Sequence, residues 1–183
     1  TTTVENISQH YLIVRPENKL EALTRVLEGE TFDGMLIFVR TKQATAELSE
    51  RLEARGFNAS PLSGDLAQAL RERTINRLKT GKIDVVVATD VAARGLDVDR
   101  ITHVINYDIP WNPARLNQRI DRIHRIGATR GKIIINLIAE DIEEKVYDVV
   151  RSKQDLFDKV VNGEAIDDDS VRKEILQKLI GED

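Results

Sequence analysis

Short continuous apolar runs alternate along this chain with stretches in which apolar residues recur every three or four positions. Met35-Leu-Ile-Phe-Val39 and the run from Asp84 through Ala88 are of the first kind. Such runs predict strands buried on both faces, as in a parallel sheet. Gln9 to Val14 alternates loosely and reads as a first strand stopped by Pro16, and Asn58 to Leu62 as a third. Thr102 to Ile109 and Lys132 to Ala139 supply the fifth and sixth.

Helical spacing fills the gaps. Leu20, Leu23, Val26 and Leu27 predict a helix over Lys19 to Glu28. Thr41 is placed to cap a second helix, with Ala44, Leu48, Leu52 and Ala54 facing the sheet and Gly56 ending it. Leu66 to Lys79 is a third, terminated by Gly81. Asn112-Pro113 opens a fourth, a capping side chain followed by proline at the first helical position. It carries Arg115, Arg119, Arg122 and Arg125. Asp141 caps a long helix from Ile142 to Val160, and a short one runs from Ser170 to Ile180. Strands alternating with helices imply an α/β fold: a parallel sheet with helices on both faces.

Composition narrows this picture only a little. At 183 residues, 41% hydrophobic and 32% charged, the chain suits one globular domain. It has no cysteine, which excludes a disulfide framework or a thiolate zinc site and fits a cytoplasmic location. Neither a membrane span nor a signal peptide is legible. The first residue is not methionine, so the expectation is a piece of a longer protein. The net charge is -4, yet arginines concentrate between Arg94 and Arg130 while acids gather after Glu140, notably Asp167-Asp-Asp169. A local basic face can hold phosphates on an acidic domain.

The chemistry concentrates at strand ends, where ligands bind in open α/β sheets. Ala88-Thr-Asp-Val-Ala-Ala-Arg-Gly-Leu-Asp-Val98 leaves the fourth strand with a hydroxyl, two carboxylates, an arginine and a glycine. Such density is costly unless the groups meet a ligand or each other, so a self-satisfied turn network is the alternative. Arg40-Thr41 and Ser63-Gly64-Asp65 follow the second and third strands. Gly64 and Gly95 allow a phosphate to approach the backbone, and Thr41 and Thr89 offer hydroxyls. Arg122 and Arg125, three apart, share a helix face suited to a polyphosphate, or else form a solvated face paired with Asp121 and the acidic tail. No G-x-x-x-x-G-K-[ST] loop occurs, nor a strand-borne Asp-Glu pair for magnesium. The chain carries half of what an NTPase needs.

From Gln9 to about Pro110 the chain resembles the second RecA-like domain of bacterial DEAD-box RNA helicases of the cold-shock type. The motifs that carry the resemblance are Leu36-Ile-Phe-Val-Arg-Thr41, Ser63-Gly64-Asp65, Gln68-Ala-Leu-Arg71 and Ala88 to Val98, in the family's order and spacing. It implies a three-layer RecA-like domain, to which the C-terminal helices would be additions. It also implies that Arg40, Thr41, Gly64, Asp65, Thr89 and Arg94 touch the RNA sugar-phosphate backbone. Asp97 would meet the ATP ribose.

Past Pro110 the likeness shifts. Trp111 to Gly127, Asn136-Leu-Ile-Ala139 and Ile142-Glu-Glu-Lys145 resemble the Swi/Snf-type family of duplex-DNA translocases. DEAD-box proteins carry His-Arg-Ile-Gly-Arg-Thr-Gly-Arg here, with the histidine eight residues after the strand-ending Ile-Pro, a spacing that lands on Gln118. In that register Gln118 to Arg125 overlays the signature with three arginines preserved. Arg122 and Arg125 become γ-phosphate contacts, Arg125 the arginine finger, and Gln118 stands for the histidine on the ATP side. His124, which heads a superficially similar His-Arg-Ile-Gly, becomes a helix residue without a catalytic role. The chain then reads as a hybrid of the two families, engineered or recombined, or as an unfamiliar natural branch. The last two helices have no DEAD-box counterpart in this reading.

The expected organisation is a helicase C-terminal domain over residues 1–165, followed by an acidic turn and terminal helix over 166–183. The expected function is the C-terminal half of a superfamily 2 ATP-dependent RNA helicase, inactive as an ATPase alone. ATP with magnesium would act only in the complete enzyme, and the partners would be single-stranded or duplex RNA and an N-terminal RecA-like domain. The alternatives are a duplex-DNA translocase domain and a chimeric fold without activity.

Overall fold

The computed structural model describes residues 7–109, 118, 119, 123, 126 and 131–139. Within these, β1 (Ile7–Val14), β2 (Gly34–Phe38), β3 (Ala59–Leu62), β4 (Val85–Ala88), β5 (Ile101–Asn106) and β6 (Lys132–Ala139) form one sheet in the order β1-β6-β5-β2-β4-β3. Every pairing is parallel. All strands therefore end on the same edge of the sheet.

The helices are α1 (Lys19–Gly29), α2 (Lys42–Ala54) and α3 (Gln68–Lys79), with a 3-10 turn over Pro16–Asn18 leading into α1. Leu23, Leu27, Leu48 and Leu52 bring α1 and α2 onto one face, against Met35, Ile37, Val85, Val87 and Ile105. Leu78 of α3, the Ala92-to-Val98 connection, and Ile123 and Ile126 cover the other face, against Leu36, Phe38, Val86 and Val104. Alternate residues of β2 and β4 thus enter different cores, which explains why their sequences are apolar throughout. The three-layer α/β expectation holds.

Several boundaries move, each for a physical reason. The second helix buries Thr45, Leu48, Ser49 and Leu52, while Ala54 is exposed and Ala44 only half-buried. Thr45 and Ser49 can be buried because their hydroxyls donate to carbonyls of their own helix, to Lys42 at 2.5 Å and Thr45 at 2.8 Å. The third helix begins at Gln68 rather than Leu66. Strand β5 stops at Asn106, three residues short of expectation, because Tyr107 and Asp108 both turn their N–H groups onto the Phe38 carbonyl. Asn106 donates to Asn136 at 2.7 Å, and Asn136 to the His10 carbonyl at 3.3 Å, a polar row across β5, β6 and β1.

The helix after Asn112-Pro113 falls outside the described residues except for Gln118, Arg119 and Ile123, which are helical. The expected helices at 142–160 and 170–180, and the division at residue 166, lie outside them too.

A candidate nucleotide and nucleic-acid edge

The carboxyl ends of β2, β3, β4 and β5 lie on one edge of the sheet, and side chains join several of the loops that follow them. Thr41 caps α2 as expected, its hydroxyl accepting from the Ala44 N–H at 3.1 Å. Arg40 beside it is exposed; its backbone N–H donates to the Asp108 carboxylate at 3.1 Å and its guanidinium to the Ile109 carbonyl at 3.4 Å. The loop after β2 is therefore tied to the turn after β5.

Lys42 pairs with Asp65, joining the β2 loop to the β3 loop. Both side chains are exposed, so solvent screens the pair, but it offsets the one negative charge in an otherwise basic pair of loops. Gly64 has an ordinary backbone conformation, and a Cβ there would lie 3.4 Å from Val91 Cγ1 across the gap to the β4 loop.

The β4 loop turns back on itself at once. Thr89 accepts the Ala92 N–H on its hydroxyl at 3.4 Å and the Ala93 N–H on its carbonyl at 3.1 Å. Ala92, Ala93, Leu96 and Val98 go into the core while Val91, Arg94, Gly95 and Asp97 stay exposed. Gly95 sits at φ 73°, a left-handed conformation that disfavours any residue with a Cβ. Arg71 of α3 donates to the carbonyls of Ala92 and, at 2.9 Å, Arg94, so the loop's own carbonyls are satisfied by a side chain from outside it.

Arg119 closes the set. It is 1% exposed, and its guanidinium grips Asp90 with both arms, at 2.7 and 2.8 Å. A third donor reaches the Asp108 carbonyl, and the planar group lies 4.9 Å over the Phe38 ring. Sequence spacing placed Arg119 in a row of similar arginines and singled out neither it nor Asp90. The signal was an aspartate two residues past β4, upstream of an arginine-rich stretch, which does not by itself select a partner.

Asp97 lies further along the β4 loop and is exposed. Its flanking residues Leu96 and Val98 pack in the same core as Ile123 and Ile126. Its charge is felt at Lys132, where burial pushes the ammonium pKa down and Asp99 and Asp97 partly restore it. Gln118 is exposed as well. Arg122 and Arg125 lie outside the described residues. Among the described residues, no group of three His, Asp or Glu side chains gathers in a way that could hold a metal ion. None of the described helices is long and apolar enough to cross a membrane.

The arrangement matches known proteins. The family model described as the helicase conserved C-terminal domain matches residues 18–127. The chain is 58% identical over 129 residues to the ATP-dependent RNA helicase DeaD of Mycobacterium tuberculosis, a match covering 70% of this chain and 22% of that protein. The crystal structure of the E. coli DEAD-box protein SrmB bound to regulator of ribonuclease activity A is similar with a TM-score of 0.66 and 34% identity, over 73% of this chain and 78% of that one. The C-terminal domain of the DEAD-box protein Dbp5 is similar with a TM-score of 0.68 and 27% identity, over 95% of this chain and 99% of that one. This chain spans about a fifth of the length of the curated relative it matches, 22%.

These likenesses correct two expectations. The family match crosses Pro110 and runs to Gly127, and the Dbp5 likeness extends over 95% of the chain. A hybrid with a translocase segment gains no support from them, nor does the idea that the final segments lack a DEAD-box counterpart. The chain belongs to the helicase conserved C-terminal domain family, as the C-terminal RecA-like domain of a bacterial DEAD-box helicase.

Proposed function

We propose that this domain is the C-terminal half of an ATP-dependent RNA helicase, binding the RNA backbone on one side and reaching toward ATP on the other. One observation carries the reading: Lys42 and Asp65 join the loops after β2 and β3, Arg71 of α3 holds the loop after β4, and Arg119 docks the arginine segment on that same loop. Arg40, Thr41, Gly64, Asp65, Thr89 and Arg94 form the proposed RNA surface. Contacts of backbone N–H, hydroxyl and guanidinium groups to phosphates carry no base information, so binding there is insensitive to sequence.

Asp97 and Gln118, both exposed, suit the ribose and the triphosphate. By helical spacing Arg122 and Arg125 share a face with Gln118. They stabilise charge on the phosphoryl oxygens during transfer to water, Arg125 as the arginine finger. Bound ATP supplies the free energy of hydrolysis. Magnesium would be held by the N-terminal RecA-like domain, because this chain carries neither a phosphate loop nor a strand-borne acidic pair. Alone, the domain hydrolyses no ATP.

The test is ATPase activity of this chain joined to the N-terminal domain of a DEAD-box helicase, with and without single-stranded RNA. Hydrolysis that needs both domains, rises with RNA and falls by about 10³-fold in Arg125→Ala is the expected result. Hydrolysis by this chain alone, or a rate indifferent to Arg125→Ala, would overturn it.

A further inference from the structure

Arg119 makes contacts that the RNA and ATP roles do not use. It bonds no proposed ligand group, is 1% exposed, and meets the ends of three strands at once: Phe38 of β2, Asp90 just past β4 and Asp108 just past β5. Among the described residues of its segment, Ile123 and Ile126 also enter the core, and their apolar contacts have no direction and resist sliding poorly. A two-armed guanidinium–carboxylate pair resists both sliding and rotation, because both arms must stay in plane with the carboxylate. A buried ion pair is weak evidence for stability, since apolar side chains often do as well. Its distinctive contribution is geometry.

The far side of the β4 loop is anchored separately, by Arg71 on the Ala92 and Arg94 carbonyls. The loop is thus gripped by two arginines, one from α3 behind the RNA surface and one from the segment that carries the ATP-facing residues. We infer that Arg119 and Asp90 are positioning residues: their pair seats the arginine segment on the β4 loop, so that the phosphate-facing arginines keep a fixed place relative to the RNA-facing loop. The inference rests on the helicase reading for its consequence, though not for its geometry.

Two variants test it. Asp90→Asn keeps the shape and one acceptor while removing the charge and the second arm. Arg119→Lys keeps the charge and removes the fork. In the full 183-residue chain, amide hydrogen exchange should show protection across residues 118–126 falling at least tenfold in either variant, with β2 and β4 unchanged. In the chain joined to a DEAD-box N-terminal domain, kcat for RNA-stimulated hydrolysis should fall at least tenfold, while RNA affinity stays within twofold because Arg71 still holds the loop. Unchanged local protection with full kcat would overturn the inference. So would protection lost evenly over the sheet with RNA affinity and kcat falling together, the signature of a purely stabilising pair. If the unaltered two-domain protein shows no RNA-stimulated hydrolysis, the helicase reading has failed, and the exchange measurement still decides whether the pair seats the segment.

Discussion

The Lys19 ammonium donates to the Tyr107 carbonyl at 2.7 Å and stands 5.5 Å from the centre of that residue's own ring. It also lies 3.6 Å from the Asp108 carboxylate, which in turn accepts the Arg40 N–H. A lysine that is 7% exposed at the start of α1 thereby sets the turn that orients the β2 loop. Its ammonium meets a carbonyl, a carboxylate and a ring face, and such partners make a lysine tolerable inside a protein.

The same turn predicts an alkaline transition. Burial, reinforced by Asp108, raises the Tyr107 phenol above its ordinary 10.0, against smaller lowering contributions from Arg51 and Arg55. The folded state then holds this proton more tightly than the unfolded state, so stability falls as pH rises from about 10.0 towards the folded value. Spectrophotometric titration of tyrosinate should lose its Tyr107 step, lying above 10.0, in Tyr107→Phe. Denaturation at high pH should show a shallower loss of stability in that variant. A missing step centred at or below 10.0 would contradict the burial account.

Thr41 has one measurable structural role and one proposed functional role. Losing its cap in Thr41→Ala should cost about 0.5–2 kcal/mol in urea denaturation, with the m-value unchanged. Thr41→Ser should retain both stability and RNA affinity, since the hydroxyl carries the cap and the proposed phosphate contact alike. Equal stability of the alanine and serine variants would show that the cap contributes nothing.

Gly95 separates backbone strain from ligand access. A Cβ there meets nothing within 4 Å, so Gly95→Ala suffers only from its left-handed φ of 73°, at about 1–2 kcal/mol. Asparagine tolerates that region better, so Gly95→Asn should recover part of the loss in thermal melts. If RNA approaches the backbone here, filter-binding affinity should drop in both variants, including the one with recovered stability. Unchanged affinity in both would show that RNA does not approach the backbone at Gly95.

Most of the scaffold was legible from local signals. The runs in β2 and β4 are apolar at every position because both faces are covered, and Thr41 sits where a threonine can close the first turn of α2 on itself. Motif spacing also brought Arg40, Thr41, Gly64, Asp65, Thr89 and Arg94 to one edge, since parallel strands end together. These features depend on neighbours a few residues away, and a sequence displays such neighbours directly.

What the tertiary structure decided was which charged groups meet. Sequence spacing gives Arg119 no distinction among the arginines from 115 to 125, yet it is 1% exposed, because Asp90 and the Asp108 carbonyl receive its guanidinium. Lys19 reaches the Tyr107 carbonyl from 88 positions away, and Arg71 holds the β4 loop from 21 and 23 positions away. A buried charge is stable only when its partners are already in place, and those partners come from separate strands that folding brings together. The sequence by itself therefore determined the layers, the caps and the edge where chemistry sits. The long-range pairs that lock that edge into one geometry exist only once the sheet has formed.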